Sequence, residues 1–221
     1  MAIYTREQAE ALLKKALAYS KADECEITLT GSNGGNIRYA RNEVSTSGTE
    51  ENVAMSVESR FGKRSGIATI NEFDDASLEK VVRRAEEIAR IAPESPEYVP
   101  MLGPQKYITT KAHFDSTAKI DPAYRADAAA KSIKAATEKG LTAAGFLEHS
   151  TNFMSRLNSK GLFAYHPSTV VDFSVTMRTE DGTGSGYVTQ DFSDVSKLNT
   201  ASASQIAASK AVNSRNAKAL E

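Results

Sequence analysis

Two stretches of this chain alternate apolar and polar residues, and each is bracketed by segments whose apolar residues recur at helical spacing. That repeated pattern limits the fold more than any other feature. In the first half, Thr5 with Gln8 three residues on matches a capping box, and Ala9, Leu12, Leu13, Ala16 and Leu17 predict a helix over about 6–21. Cys25, Ile27 and Leu29 alternate with Glu26, Thr28 and Thr30, the mark of a half-buried strand, and the glycine-rich stretch Gly31–Gly35 predicts a turn into a partner strand over Asn36–Ala40. Val53, Met55 and Val57 continue the alternation, and Gly62 predicts a turn into Ser65–Asn71. After Asp74 and Asp75, both good helix caps, a stripe of Leu78, Val81, Val82, Ala85, Ile88, Ala89 and Ala92 runs until Pro93 stops it. The first half therefore reads α-β-β-β-β-α.

Pro93, Pro96, Pro100 and Pro104 fall in a stretch without periodicity, as a semi-rigid connector would. Asp121 and Pro122 then read as a cap and first helical position for a helix over about 122–139 that ends at Gly140. Strand patterns return at Leu141–His149, Phe153–Leu157, Val171–Met177 and around Tyr187–Phe192. An alanine- and serine-rich segment over about 200–218, with Ile206 and Val212 as its large apolar groups, predicts a closely packed final helix. Laid over each other, the halves match at Asn42 and Asn158, Gly66 and Gly186, and Phe73 and Phe192. The expectation is an α+β fold of two similar helix–antiparallel meander–helix units, an internal duplication, with the first unit at 1–92, a connector at 93–120 and the second unit at 121–221.

The 27 basic and 28 acidic residues nearly cancel, which removes the positive field that phosphate-backbone binding needs and argues against nucleic acid as a partner. No stretch approaches the ~20 apolar residues of a membrane helix, so no membrane partner is expected. A lone cysteine, Cys25, suits a reducing compartment, and a cytoplasmic location is expected.

No complete catalytic centre can be assembled from the motifs. Gly182–Gly186 leads into a strand rather than a helix and lacks the Lys-Ser/Thr ending of a phosphate loop, so it reads as a hairpin turn, and Ser185 is not in a nucleophile-elbow frame. His113, His149 and His166 lack the helical i, i+4 spacing that places two imidazoles on one metal, and Glu148 and His149 are strand neighbours pointing to opposite faces. Asn158, Ser159, Lys160 and Gly161 could hold a peptide backbone through the Asn amide, but they are also ordinary turn chemistry.

Arg38-Tyr39-Ala40-Arg41-Asn42, the run from Gly62 to Asn71, the helix Leu78–Ile91 and Arg156-Leu157-Asn158-Ser159-Lys160-Gly161 together resemble the TldD/PmbA family, whose members are also labelled modulators of DNA gyrase. The likeness runs across nearly the whole chain and rests on the order and spacing of these segments. It implies a cytosolic metallopeptidase system in which one subunit type carries zinc on a His-Glu-x-x-x-His helix and a paired type lacks it, with peptide-like or unfolded chains handled in an enclosed space between subunits.

That zinc motif is absent from these 221 residues, so the resemblance implies the N-terminal half of a longer member. No catalytic residue, metal ligand or cofactor is expected in this chain, and zinc is expected only in a C-terminal half or a partner subunit. The function implied is a module that shapes the substrate chamber and the subunit contacts of a homo- or hetero-oligomer acting on peptides or unfolded proteins. The alternative is a non-catalytic peptide-binding subunit of the metal-free type. Arg41, Asn42, Asn158, Ser159 and Gly161 are the candidate peptide-binding or subunit-contact residues.

Overall fold

A computed structural model describes residues 3–218. The elements run α1 (Arg6–Leu17), β1 (Glu24–Ala40), β2 (Glu43–Phe61), β3 (Arg64–Ile70), α2 (Asp75–Ile91), α3 (Asp115–Ala118), α4 (Pro122–Thr137), β4 (Leu141–Asn158), β5 (Phe163–Thr179), β6 (Ser185–Phe192) and α5 (Thr200–Asn213). The strands follow the order β3-β2-β1-β4-β5-β6, so each half of the chain enters at the middle of the sheet and steps outwards. The fold is α+β, as the patterning predicts. No helix among the described residues is long and apolar enough to cross a membrane.

The chain divides into two compact units, 1–32 with 51–110 and 152–167, and 33–50 with 111–151 and 168–221. β1, β2, β4 and β5 are long enough that each lends a segment to both units.

In the first unit, α1 starts on the expected capping box, with Thr5 and Gln8 bonding each other's backbone. It buries Ala9, Leu13 and Ala16, and α2 buries Leu78, Val81, Val82 and Ala85, against Ile27 and Leu29 of β1 and Met55 and Val57 of β2. Each fully buried Leu, Ile or Val contributes about 1.5–3 kcal/mol, so this layer carries most of the unit's stability. The buried Glu86 of α2 accepts from the Lys21 amide at 2.5 Å and from Arg83 at 2.6 Å, which ties the segment after α1 to α2.

In the second unit, α4 and α5 use small side chains. Ala128, Ala129, Ala135 and Ala136 of α4 and Ala203, Ala207, Ala208 and Ala211 of α5 pack under Ile37, Tyr39, Leu147, Phe173, Val175 and Met177. The hydroxyls of Ser132 and Ser204 meet at 2.8 Å, satisfying two buried polar groups where the helices touch. The matched glycines have one task in both units. A Cβ on Gly66 of β3 would collide with the α2 backbone at Ala85 and Ala89, and one on Gly186 of β6 with the α5 backbone at Ala207 and Ala211. Their bare Cα atoms let helix backbone rest directly on strand.

Three expectations fail for identifiable reasons. Gly31–Gly35 is not a turn, and β1 runs straight through it. Gly34 and Gly35 serve close approach instead, since a Cβ on the first would strike the His149 carbonyl and one on the second the Arg125 guanidinium. The reversal lies at Arg41 and Asn42, with φ of 54° and 62°, the paired positive values of a two-residue hairpin loop. Likewise Leu141–His149 and Phe153–Leu157 are one strand, β4, so the described residues of each half form three strands rather than four. The helices α1, α4 and α5 also stop earlier than predicted, at Leu17, Thr137 and Asn213. Residues 93–114 form no helix or strand, as their prolines predict.

Candidate functional site

The five candidate residues sit at the hairpin turns that follow the two central strands. Arg41 and Asn42, in the second unit, connect β1 to β2. Arg41 is exposed. Asn42 donates from Nδ2 to the Leu141 carbonyl at 3.0 Å, and its Oδ1 accepts from the Ala143 amide at 2.7 Å. Its side chain therefore imitates one more residue of β-ladder and pins the turn to the start of β4.

In the first unit, Asn158 ends β4 and is 2% exposed. Its Oδ1 accepts from the Lys160 and Leu162 amides at 3.0 and 3.1 Å, and its Nδ2 donates to the Leu102 carbonyl at 3.0 Å. Gly161, at φ 87°, allows the chain to close that loop. Ser159 donates from its amide to the Cys25 carbonyl at 2.8 Å, and its hydroxyl accepts from the Cys25 amide at 3.0 Å, so this turn is pinned to the start of β1. The amide groups of both asparagines are thus engaged in holding turns.

Beside Asn158, Glu24 organises the connector. This carboxylate, 5% exposed, accepts from the Tyr98 hydroxyl at 3.2 Å and the Met101 amide at 3.3 Å, and lies 3.3 Å from Lys160 Nζ. Arg60 Nη1 donates to the Val99 carbonyl at 2.8 Å. Burial acts to raise the Glu24 carboxyl, but the bonds from Met101, Lys160 and Tyr98 outweigh it and hold the group below the usual glutamate range. A depressed acid stabilises the fold above its unfolded pKa, about 4.3, and that contribution is lost as pH falls through the folded value. Acidification below the ordinary glutamate range should therefore loosen residues 98–103 before the core. Amide exchange of Met101 followed against pH checks this, and Glu24→Gln should show the fast exchange already at neutral pH.

The surface open to a ligand is one the sequence reading left unassigned. β3 pairs with β2 only from Met55 to Phe61, so in the second unit Glu43–Glu50 forms an outer strand without a β3 partner on that side. Every residue from 43 to 50 is exposed, on both faces of the strand. On the opposite flank of the same unit the start of β6 is engaged: Ser214 bonds both the amide and the carbonyl of Ser185, and Lys210 donates to the Tyr187 carbonyl at 3.0 Å. An unpaired edge of this kind can accept an extended chain as an added strand. The missed signal is the run Val44-Ser45-Thr46-Ser47, whose β-branched and hydroxyl residues favour a strand although nothing apolar alternates.

The remaining motifs resolve into structure. The Gly182–Gly186 turn is closed by Asp181, which accepts from the Thr179 hydroxyl at 2.6 Å and the Thr183 amide at 3.1 Å, so a carboxylate already occupies the place where an anion would sit. His113 lies 3.5 Å from Asp115, His149 is buried, and His166 is exposed. No three His, Cys, Asp or Glu side chains among the described residues stand close enough to hold a metal.

Comparison with known proteins places this arrangement. The family model for PmbA/TldA metallopeptidase domain 1 matches residues 25–89, and the model for the PmbA/TldA metallopeptidase central domain matches residues 111–215. No curated protein sequence matches the chain. Among solved structures, TldE from Thermococcus kodakarensis superposes with a TM-score of 0.83 at 20% identity, over 92% of this chain and 47% of that one. A Thermotoga maritima protein provisionally named a modulator of a DNA gyrase gives 0.85 at 15% identity, over 96% and 50%. A similarly named Bacteroides thetaiotaomicron protein gives 0.81 at 16%, over 99% and 52%. The chain thus spans about half the length of each.

Proposed function

The chain belongs to the PmbA/TldA metallopeptidase family, and on that premise we propose that it is a peptide-holding module of a zinc-dependent peptidase system. It shapes the substrate chamber and the subunit contacts, while zinc and the general base come from outside these residues. The observation that carries this reading is the open edge at Glu43–Glu50, which offers backbone donors and acceptors to any extended chain. Such recognition reads the peptide backbone and so suits peptides and unfolded proteins of varied sequence. The assembly is a homo- or hetero-oligomer with another subunit of the family, in the cytoplasm, where the buried thiol of Cys25 stays reduced.

Metal-assisted amide hydrolysis needs a polarised carbonyl and an activated water, and no clustered ligand set for a metal exists among the described residues. The 221-residue chain alone should therefore bind zinc substoichiometrically and leave a flexible peptide intact with or without added zinc. Metal analysis of the purified chain and a cleavage assay check this. Stoichiometric zinc, or cleavage that a chelator abolishes, would contradict the assignment of catalysis to residues elsewhere.

A further inference from the structure

Arg125, in the first turns of α4, is 2% exposed although its side chain is permanently charged. It enters no ion pair among the described residues, and its Nε has no hydrogen-bond acceptor. Buried guanidinium groups are ordinarily paired, because an uncompensated charge away from water is strongly disfavoured. The group is also deliberately seated. A Cβ on Gly35 would lie 2.5 Å from Arg125 Nη1 and 2.8 Å from its guanidinium carbon, so the head group rests on the bare Cα of β1. His149 of β4, 7% exposed, lies by the same glycine, with the Gly35 backbone and the Arg125 charge both acting on its ring, and its Nδ1 has no partner. Burial first, and then the Arg125 charge, push this imidazole down and favour its neutral form.

We propose that Arg125 and His149 bind a carboxylate monoanion beside Gly35. Charge selects a monoanion: the Arg125 guanidinium supplies one positive charge, which one carboxylate balances and a dianion would exceed. Shape selects a carboxylate, because the Nε edge of a guanidinium presents parallel N–H groups matched to two oxygens. The free Nε shows that this edge is unengaged within the chain. The ligand is either a free small carboxylate or the terminal carboxylate of a peptide.

Titrating sodium acetate into the unmodified chain, with sodium chloride at equal ionic strength as reference, tests the site. Acetate should move the His149 ring resonances saturably and raise the unfolding midpoint by about 5–10 °C at about 100-fold excess over its dissociation constant. Arg125→Met should lose the acetate-specific rise, and Arg125→Lys should keep only part of it, since a point charge lacks the fork. A short peptide with a free C-terminus, compared with its amidated form, separates the two sources: a response only to the free acid assigns the site to peptide ends, and a response to acetate alone assigns it to small carboxylates. Equal effects of acetate and chloride on His149, no response to acetate or to the free-acid peptide, or undiminished stabilisation of Arg125→Met by acetate would overturn the proposal. If Arg125→Met does not fold, the His149 titration in the unmodified chain decides the matter alone.

Discussion

Gly186→Val will detach α5 from β6 and cost about 3 kcal/mol, the upper end for an overpacked site, because the colliding atoms are helix backbone and cannot rotate away. Set against a total stability of roughly 5–15 kcal/mol, that loss is a large fraction. Gly66→Val should do the same to α2 in the first unit, where the Ala85 carbonyl and Ala89 amide lie in the way. Gly48→Val is the control: nothing lies within 4 Å of a Cβ there, so the change should stay within about 0.5 kcal/mol. Urea unfolding midpoints of the three variants check the ranking. A Gly186→Val chain as stable as Gly48→Val would mean that the helix does not rest on the strand as described.

Asn158→Ala should cost about 2–4 kcal/mol, because it strips the acceptor from the Lys160 and Leu162 amides and the donor from the Leu102 carbonyl at a buried position. The effect should spread into the connector, so amide exchange near residues 102–103 should rise with the loss of stability. Asn42→Ala removes two bonds at a half-buried turn and should cost less, about 1–2 kcal/mol. Equal losses for the two would argue against burial as the cause of the difference.

These residues also show what was legible in the sequence and what was not. The helices were readable because their caps and apolar stripes are local: Thr5 with Gln8, Asp74 before Ser77, and Asp121 before Pro122 all act as the spacing predicts. The strand count was misjudged because glycine carries two meanings. At Gly34 and Gly35 it makes room for His149 and Arg125, partners more than 80 residues away that no local pattern reveals. The true reversal uses Arg41 and Asn42, where positive φ is sustained by bonds from Asn42 to β4.

The candidate residues were found for a structural reason. Asn42 and Asn158 match because each follows a central strand, and each turn is pinned to the start of the other central strand, at Leu141 and Ala143 in one case and at Cys25 in the other. That equivalence, with Gly66 and Gly186, is what supports our reading of the halves as copies of one ancestral unit. The open edge escaped notice because a strand exposed on both faces has no apolar alternation to display.

Titration of an unstructured peptide against the isotopically labelled chain, followed through the backbone amides, tests the central claim most directly. The account predicts shifts concentrated on Glu43–Glu50, similar for peptides of unrelated sequence and weakened when the peptide backbone is N-methylated, since methylation removes the donors that an added strand must supply. Absence of shifts at millimolar peptide, or shifts that avoid this strand, would contradict it.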